Sequence, residues 1–148
     1  YLKCYIEGTV DFIFGSSTAV FEDCDIFCKQ KGYITAASTP DTTKYGYVFM
    51  NCRIKGSADE NTFYLGRPWR PYAKTVFIKC DLGNQIKPEG WDHWGKESNK
   101  QTAYYAEYKN RGPGFKPTQR VAWSRQLTDS EAKEYTLTNI FRGWDPLK

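Results

Sequence analysis

One heptad is written three times in this chain. Val20-Phe21-Glu22-Asp23-Cys24-Asp25-Ile26 returns as Val48-Phe49-Met50-Asn51-Cys52-Arg53-Ile54 and again as Val76-Phe77-Ile78-Lys79-Cys80-Asp81-Leu82. A partial copy, Leu2-Lys3-Cys4-Tyr5-Ile6, opens the sequence. Cys4 and Cys24 are 20 residues apart, and Cys24, Cys52 and Cys80 follow at intervals of 28. Self-similarity at a fixed period of this size marks a solenoid, in which each repeat is one coil stacked on the next. Val, Phe, Cys and Ile favour strands. Strand alternation puts Cys24 and Ile26 on one face, with Val20 on the same side by parity. The predicted fold is all-β, a parallel β-helix with Val stacked on Val, Cys on Cys and Ile on Ile inside. A sandwich of short look-alike strands is the alternative, and three near-copies at one spacing argue against it.

The 148 residues read as one domain, and a hydrophobic fraction of 40% supports a sizeable core. Aromatic residues make up 17%, more than a core requires. The surplus suggests a ring-lined groove, on which the apolar C–H faces of sugars can stack. The net charge of +4 is spread without a Lys/Arg run. That argues against nucleic acid and is compatible with an anionic polymer.

Five cysteines are an odd count. Cys4, Cys24, Cys52 and Cys80 share one repeat position and read as small core residues. Cys28 stands outside the pattern, and a Cys24–Cys28 disulfide stays open. With His93 the only histidine and no Cys-x-x-Cys, neither a metal site nor a cofactor is expected. No apolar run approaches ~20 residues, so no membrane span is expected. Tyr1 falls inside a repeat with no polar cap before it, and solenoids need capped ends. The expectation is a single partial β-helix domain over residues 1–148 whose N-terminal coils are missing.

Glycine- and proline-punctuated stretches precede the three full heptads, at 8–15, 34–40 and 64–72, and read as loops at the corners of coils. Beyond the third heptad, 86–94 is a loop with two tryptophans, 102–108 a last strand and 110–114 a turn. Thr128-Asp129-Ser130-Glu131 reads as a capping box, opening a helix that should run to about Tyr135. Ile140, Phe141 and Trp144 are expected to pack back and cover the C-terminal end of the solenoid.

Asp11 lies among Val10, Phe12, Ile13 and Phe14, where a carboxylate is costly without a partner. It could simply be an exposed residue on an outer face. Yet Asp11 precedes Val20 by nine residues, as Arg67 precedes Val76. Equal loop geometry would project both from one face two coils apart, ~10 Å at the backbone. An arginine can span most of that and hold Asp11 ionised and oriented. The small Ala36-Ala37-Ser38-Thr39 coil between them leaves room for a ligand, and Trp69 could floor the same groove.

These residues carry a resemblance. Gly8-Thr9-Val10-Asp11-Phe12-Ile13-Phe14-Gly15, Tyr64-Leu65-Gly66-Arg67-Pro68-Trp69, Gly90-Trp91-Asp92-His93-Trp94 and Tyr105 through Gly114 resemble the pectin methylesterase (pectinesterase) family. So do Arg120-Val121-Ala122-Trp123 and the closing Phe141-Arg142-Gly143-Trp144, so the likeness spans nearly the whole chain, as the C-terminal half of a catalytic domain. It implies a right-handed parallel β-helix. It gives Asp11 the role of nucleophile, Arg67 that of the arginine holding it, and Phe14 and Trp69 those of substrate-cleft aromatics. The implied reaction is metal-free, cofactor-free hydrolysis of the C6 methyl esters of homogalacturonan in pectin, releasing methanol through an acyl-enzyme. The implied setting is extracellular or in the cell wall (periplasmic or outer-surface in a bacterium). A monomer is expected, with pectin as partner, neither nucleic acid nor membrane, and a proteinaceous inhibitor left open.

The likeness has gaps. The family's acid–base aspartate and oxyanion glutamines lie upstream of the Gly-Thr-Val-Asp motif, and Gln30, Gln85, Gln101, Gln119 and Gln126 are wrongly placed to replace them. The 148 residues alone are therefore expected to have little or no esterase activity. Ser16-Ser17 stands where the family usually has Asn-Ala, which can alter the loop under the nucleophile. Ala37 stands where many members have Gln, which can alter substrate contacts. Two rivals remain at this point. One is a polysaccharide lyase or polygalacturonase on the same scaffold, although the acidic clusters those enzymes need are missing. The other is a non-catalytic carbohydrate-binding β-helix with Trp69, Trp91 and Trp94 as stacking platforms.

Overall fold

A computed structural model describes all residues from Tyr1 to Lys148. Ten strands form: β1 Tyr5–Gly15, β2 Ala19–Glu22, β3 Asp25–Ala37, β4 Tyr47–Met50, β5 Arg53–Gly56, β6 Phe63–Pro68, β7 Lys74–Ile78, β8 Asp81–Leu82, β9 Tyr104–Tyr108 and β10 Arg125–Gln126. Every strand pairing is parallel. One sheet runs β2-β4-β7-β9-β10; the other runs β1-β3-β5-β8, with β6 also on β3. The chain is a parallel β-helix, as the repeat predicts. The stretches expected to be corner loops are largely strand: 8–15 lies in β1, Ile34–Ala37 in β3 and Tyr64–Pro68 in β6. They form a third face of each coil.

The repeat register holds residue for residue. Val20 pairs with Val48 and Val48 with Val76; Phe21, Phe49 and Phe77 do likewise. Their rings stack, with centroids 4.5 Å apart from Phe21 to Phe49 and 4.3 Å from Phe49 to Phe77. Those spacings are close to the distance between neighbouring strands, so each ring rests on the one below.

The expected side for valine is wrong. Phe21, Cys24 and Ile26 and their copies fill the main core, whereas Val20, Val48 and Val76 face outward into a second apolar cluster. The cause is the residue before Cys4, Cys24, Cys52 and Cys80, and before Asn110, which follows them in the column. Lys3, Asp23, Asn51, Lys79 and Lys109 all have φ between 47° and 54°. A left-handed residue turns the chain at each corner and breaks the two-residue alternation, so parity cannot be counted across it.

The ladder ends on polar residues. Phe77 pairs with Glu107, so a carboxylate takes the next place in the phenylalanine column. Asn110 ends the cysteine column, its Oδ1 accepting the Cys80 N–H at 2.8 Å and its Nδ2 donating to Glu107 Oε1 at 3.1 Å. Arg120 closes the set: Nε donates to Glu107 Oε2 at 2.7 Å and Nη2 to Oε1 at 3.2 Å. Its remaining N–H groups reach the carbonyls of Lys87, Pro88 and Gly114. Both side chains are essentially sealed, at 2% and 0% exposure, and every charge has partners.

Beyond the last coil, Phe115, Val121 and Trp123 pack against the main core. The capping box forms as expected, with Thr128 Oγ1 accepting the Glu131 N–H and the Glu131 carboxylate accepting the Thr128 N–H. The helix it opens is shorter than expected. α2, after the short α1 (Asn99–Thr102), covers only Asp129–Ala132, because Thr136 caps a separate α3 at Leu137–Ile140. The tail does not cover the end of the solenoid either. Leu127 and Ile140 pack on Val20, Val48, Val76 and Ala106, with Tyr135, Leu137 and Phe141 alongside. The tail is a strap along the flank, placed there by the outward valines.

All five cysteines are free, which closes the disulfide alternative. Cys24, Cys28, Cys52 and Cys80 are inaccessible, and burial pushes the Cys28 thiol up to about 12. A reagent cannot reach a sealed sulfur, so these four should stay unlabelled by a thiol reagent at pH 8 and react only in denaturant. Rapid labelling of any of the four in the native protein would contradict the packed ladder.

Candidate active site

Asp11 sits at a bulge. Val10 pairs with Tyr33 and Ile13 with Thr35, so Asp11 and Phe12 stand opposite the single residue Ile34. Asp11 takes φ 53°, a left-handed conformation that aspartate tolerates better than most residues but that still costs of order 1–3 kcal/mol. Gly8 lets the ring of Phe12 fold back: an added Cβ there would lie 2.3 Å from it. The bulge re-aims Asp11 out of the apolar strand.

Arg67 meets it squarely. Nε donates to Oδ1 at 3.0 Å and Nη2 to Oδ2 at 2.7 Å, a two-point clamp. The pair is about one-fifth exposed, 21% for Arg67 and 20% for Asp11. Burial pulls the guanidinium pKa down, but the hydrogen bond and charge of Asp11 outweigh it, and the net shift is upward. Arg67 is also held by rings. Its Cζ lies 3.9 Å from the Tyr33 ring centroid and 3.8 Å from that of Trp94. Trp94 is presented by a turn in which the Asp92 carboxylate accepts the Trp94 N–H at 3.0 Å. Gly66 allows this: an added Cβ would lie 2.1 Å from Thr35 Oγ1, so only glycine lets β6 approach β3 here.

The nine-residue argument finds the right pair by a geometry the fold does not have. In the ladder Arg67 stands beside Ala36 and Ala36 beside Phe14, so Arg67 is level with Phe14 and not with Asp11. The contact closes through the bulge and the length of the arginine.

Phe14 and Trp69 lie beside this pair and are 65% and 42% exposed. Their rings meet edge to face with centroids 6.1 Å apart. They form an open aromatic wall suited to the apolar face of a sugar. Trp94 is also partly exposed, but Trp91 is not a stacking platform: at 1% exposure it packs inside against Tyr105, with ring centroids 4.3 Å apart. Ala37 lies in the core cluster, so it offers no substrate contact. Of the glutamines, Gln85 is buried and donates to the Ile54 carbonyl, and Gln126 donates to Glu107. Tyr33 and the role of Trp94 escape the sequence reading. The rung Tyr33-Ile34-Thr35 over Tyr64-Leu65-Gly66 is the signal that marks Tyr33, and its offset, 64 against 33 where the heptads pair 48 with 20, is not the one the repeat predicts.

A sequence model of the Pectinesterase family matches residues 1–144. Pectinesterase 31 of Arabidopsis thaliana is 46% identical over 137 residues, covering 91% of this chain and 43% of that protein. Carrot pectin methylesterase superposes with a TM-score of 0.87 at 34% identity, over 96% of this chain and 49% of that one. A pectin methylesterase crystallised with a hexasaccharide superposes with a TM-score of 0.82 at 32% identity, over 99% and 51%. The chain thus spans about half or less of the length of each.

Proposed function

The chain belongs to the pectinesterase family, and from that premise we propose that the protein hydrolyses the C6 methyl esters of homogalacturonan in pectin, releasing methanol. The observation that carries this reading is the clamped carboxylate: Asp11, pinned by two hydrogen bonds from Arg67 beside an exposed aromatic wall.

Asp11 acts as nucleophile. One carboxylate oxygen attacks the ester carbonyl carbon, and the carbon–methoxy bond breaks to leave an acyl-enzyme. Methoxide departs as methanol after taking a proton. Water then attacks the acyl carbon and the anhydride C–O bond to Asp11 breaks, giving the free uronate, restoring the carboxylate and releasing two protons, one of which replaces the proton methanol took. Each oxygen of Asp11 keeps a lone pair beyond the one Arg67 occupies, so the clamp orients the nucleophile without blocking it. Phe14 and Trp69 receive the sugar ring. Arginine does not surrender its proton, so Asp11's hydrogen-bond partner here supplies charge and orientation but no acid. On this reading residues 1–148 alone release little methanol, and the protein works in the cell wall or outside the cell, where pectin lies.

The test is the full-length protein with methyl-esterified homogalacturonan. Methanol release with the polymer length unchanged is the expected result. Shortened chains or unsaturated ends without methanol would establish a lyase or polygalacturonase instead.

A further inference from the structure

A groove of about 500 Å³ opens where α2 lies against the coils, and no residue of the clamp, of the rings that hold it or of the aromatic wall lines it. Two rungs of the ladder build one side. Met50 pairs with Ile78 and Ile78 with Tyr108, and all three belong to the outer apolar cluster. The next residue on each coil, Asn51, Lys79 and Lys109, is one of the left-handed corners. Coils stack at ~4.8 Å, so three successive coils carry one amide and two ammonium groups along the rim. The other side comes from the strap, through Asp129, Ala132 and Lys133.

The strap divides its charges between two grooves. Glu131 and Glu134 line a separate one with Lys44 and Lys74, and Glu134 pairs with Lys44 at 3.5 Å. Lys133 lines this one. The lining here therefore holds three ammonium groups, of Lys79, Lys109 and Lys133, against the single carboxylate of Asp129. That carboxylate is already committed: Oδ1 accepts the Tyr108 hydroxyl at 2.6 Å and lies 3.3 Å from Lys109 Nζ. Lys133 feels the charge of Asp129 without pairing with it. Asn51, Lys79 and Lys133 are exposed, and their side-chain nitrogens have no partner in the protein. A concave surface with an excess of one charge concentrates ions of the other. Here the floor between the cations, Met50 and Ile78, is apolar.

We propose that this groove binds a free-acid stretch of polyuronate, its carboxylates meeting Lys79 and Lys133 and the C–H face of a sugar lying over Met50 and Ile78. The inference rests on the esterase reading for the identity of the anion, and it gives the polymer a second seat apart from the clamp. Methyl-esterified units are neutral and gain nothing from the lysines. Hydrolysis turns neutral units into anions, so the groove retains what the reaction makes. The protein then stays tethered to stretches already freed while the clamp works on the remaining esters.

The experiment uses the full-length protein and its Lys79→Asn/Lys133→Gln variant. Asparagine already takes the same left-handed corner at Asn51, one coil earlier, so the backbone is preserved. Methanol release is compared on a fully methyl-esterified trimer and on a long, partly de-esterified homogalacturonan at low salt. On the polymer the variant's KM should rise about three- to tenfold with kcat unchanged, as two exposed charge pairs allow, and the rise should shrink with added salt. On the trimer, which carries no free carboxylate, neither constant should change. Lys79→Arg/Lys133→Arg, which keeps both charges, should behave like the parent. An equal rise on both substrates, or none on either, overturns the groove's role. Calorimetry reads the same site without turnover: the variant should bind fully acid oligogalacturonate about three- to tenfold more weakly, and polyglutamate of equal charge should show no such difference. A difference as large with polyglutamate takes the uronate out of the groove. If the parent releases no methanol from either substrate, the esterase reading has failed, and the calorimetric difference still decides the groove.

Discussion

Asp11→Asn is expected to lower methanol release by the full-length protein at least about 10³-fold while the fold stays intact. The substitution isolates chemistry from structure. Asparagine is among the few residues that accept the left-handed backbone at φ 53°, so the bulge survives. It keeps the shape and one acceptor oxygen for Arg67, but loses the charge and with it the attacking group. The partly buried guanidinium is left without its counter-ion, so stability should fall by about 1–3 kcal/mol. Arg67→Lys probes the clamp from the other side. A lysine places a single point charge where a planar fork made two bonds, and cannot lie flat between Tyr33 and Trp94. Loss of orientation alone should lower the rate about 10²-fold with little change in substrate binding. Activity of Asp11→Asn within tenfold of the parent would remove Asp11 from the nucleophile's role.

The largest effect on stability is expected at the polar end of the ladder. Arg120→Ala should destabilise the protein by about 3–5 kcal/mol in urea unfolding. It strips Glu107 of two hydrogen bonds at 2.7 and 3.2 Å and strands a carboxylate with no exposure. It also frees the carbonyls of Lys87, Pro88 and Gly114, which that side chain joins. Removing the charge at both ends separates the pair from its surroundings. The double variant Arg120→Met/Glu107→Leu should recover much of the loss, because neutral side chains of similar size need no partner in the interior. A loss below about 1 kcal/mol for Arg120→Ala would mean that water reaches Glu107.

Much of this was legible in the sequence. The repeat gave the coils, their stacking and the buried cysteines, because identical residues at a fixed interval can only meet in register. The Asp11–Arg67 pair was legible as an isolated charge in an apolar stretch awaiting a partner. Three things were not. The inside-out assignment of the valines failed because a left-handed corner is visible in sequence only when glycine or asparagine marks it, and here lysine and aspartate take the conformation as well. The bulge at Asp11 has no signature of its own, so the nine-residue equivalence mistook a two-against-one mismatch for equal loops. The exposure of the tryptophans could not be sorted, since Trp91 and Trp94 sit three residues apart in one loop and only one of them faces inward. In each case what was missing was the course of the backbone between elements, which side-chain character records poorly.

The strap along the flank changes how such a molecule comes apart. A stack of coils held only by neighbours loosens from its ends, one layer at a time. Here Leu127 and Ile140 lie across valines drawn from successive layers, and the groove beneath the final residues brings Trp144 and Leu147 to Tyr1 and Leu2. The strap therefore reaches Tyr1 and Leu2 as well as the outward valines, and coils that loosen must first undo this lashing. A modular column is thereby made to melt as a single body.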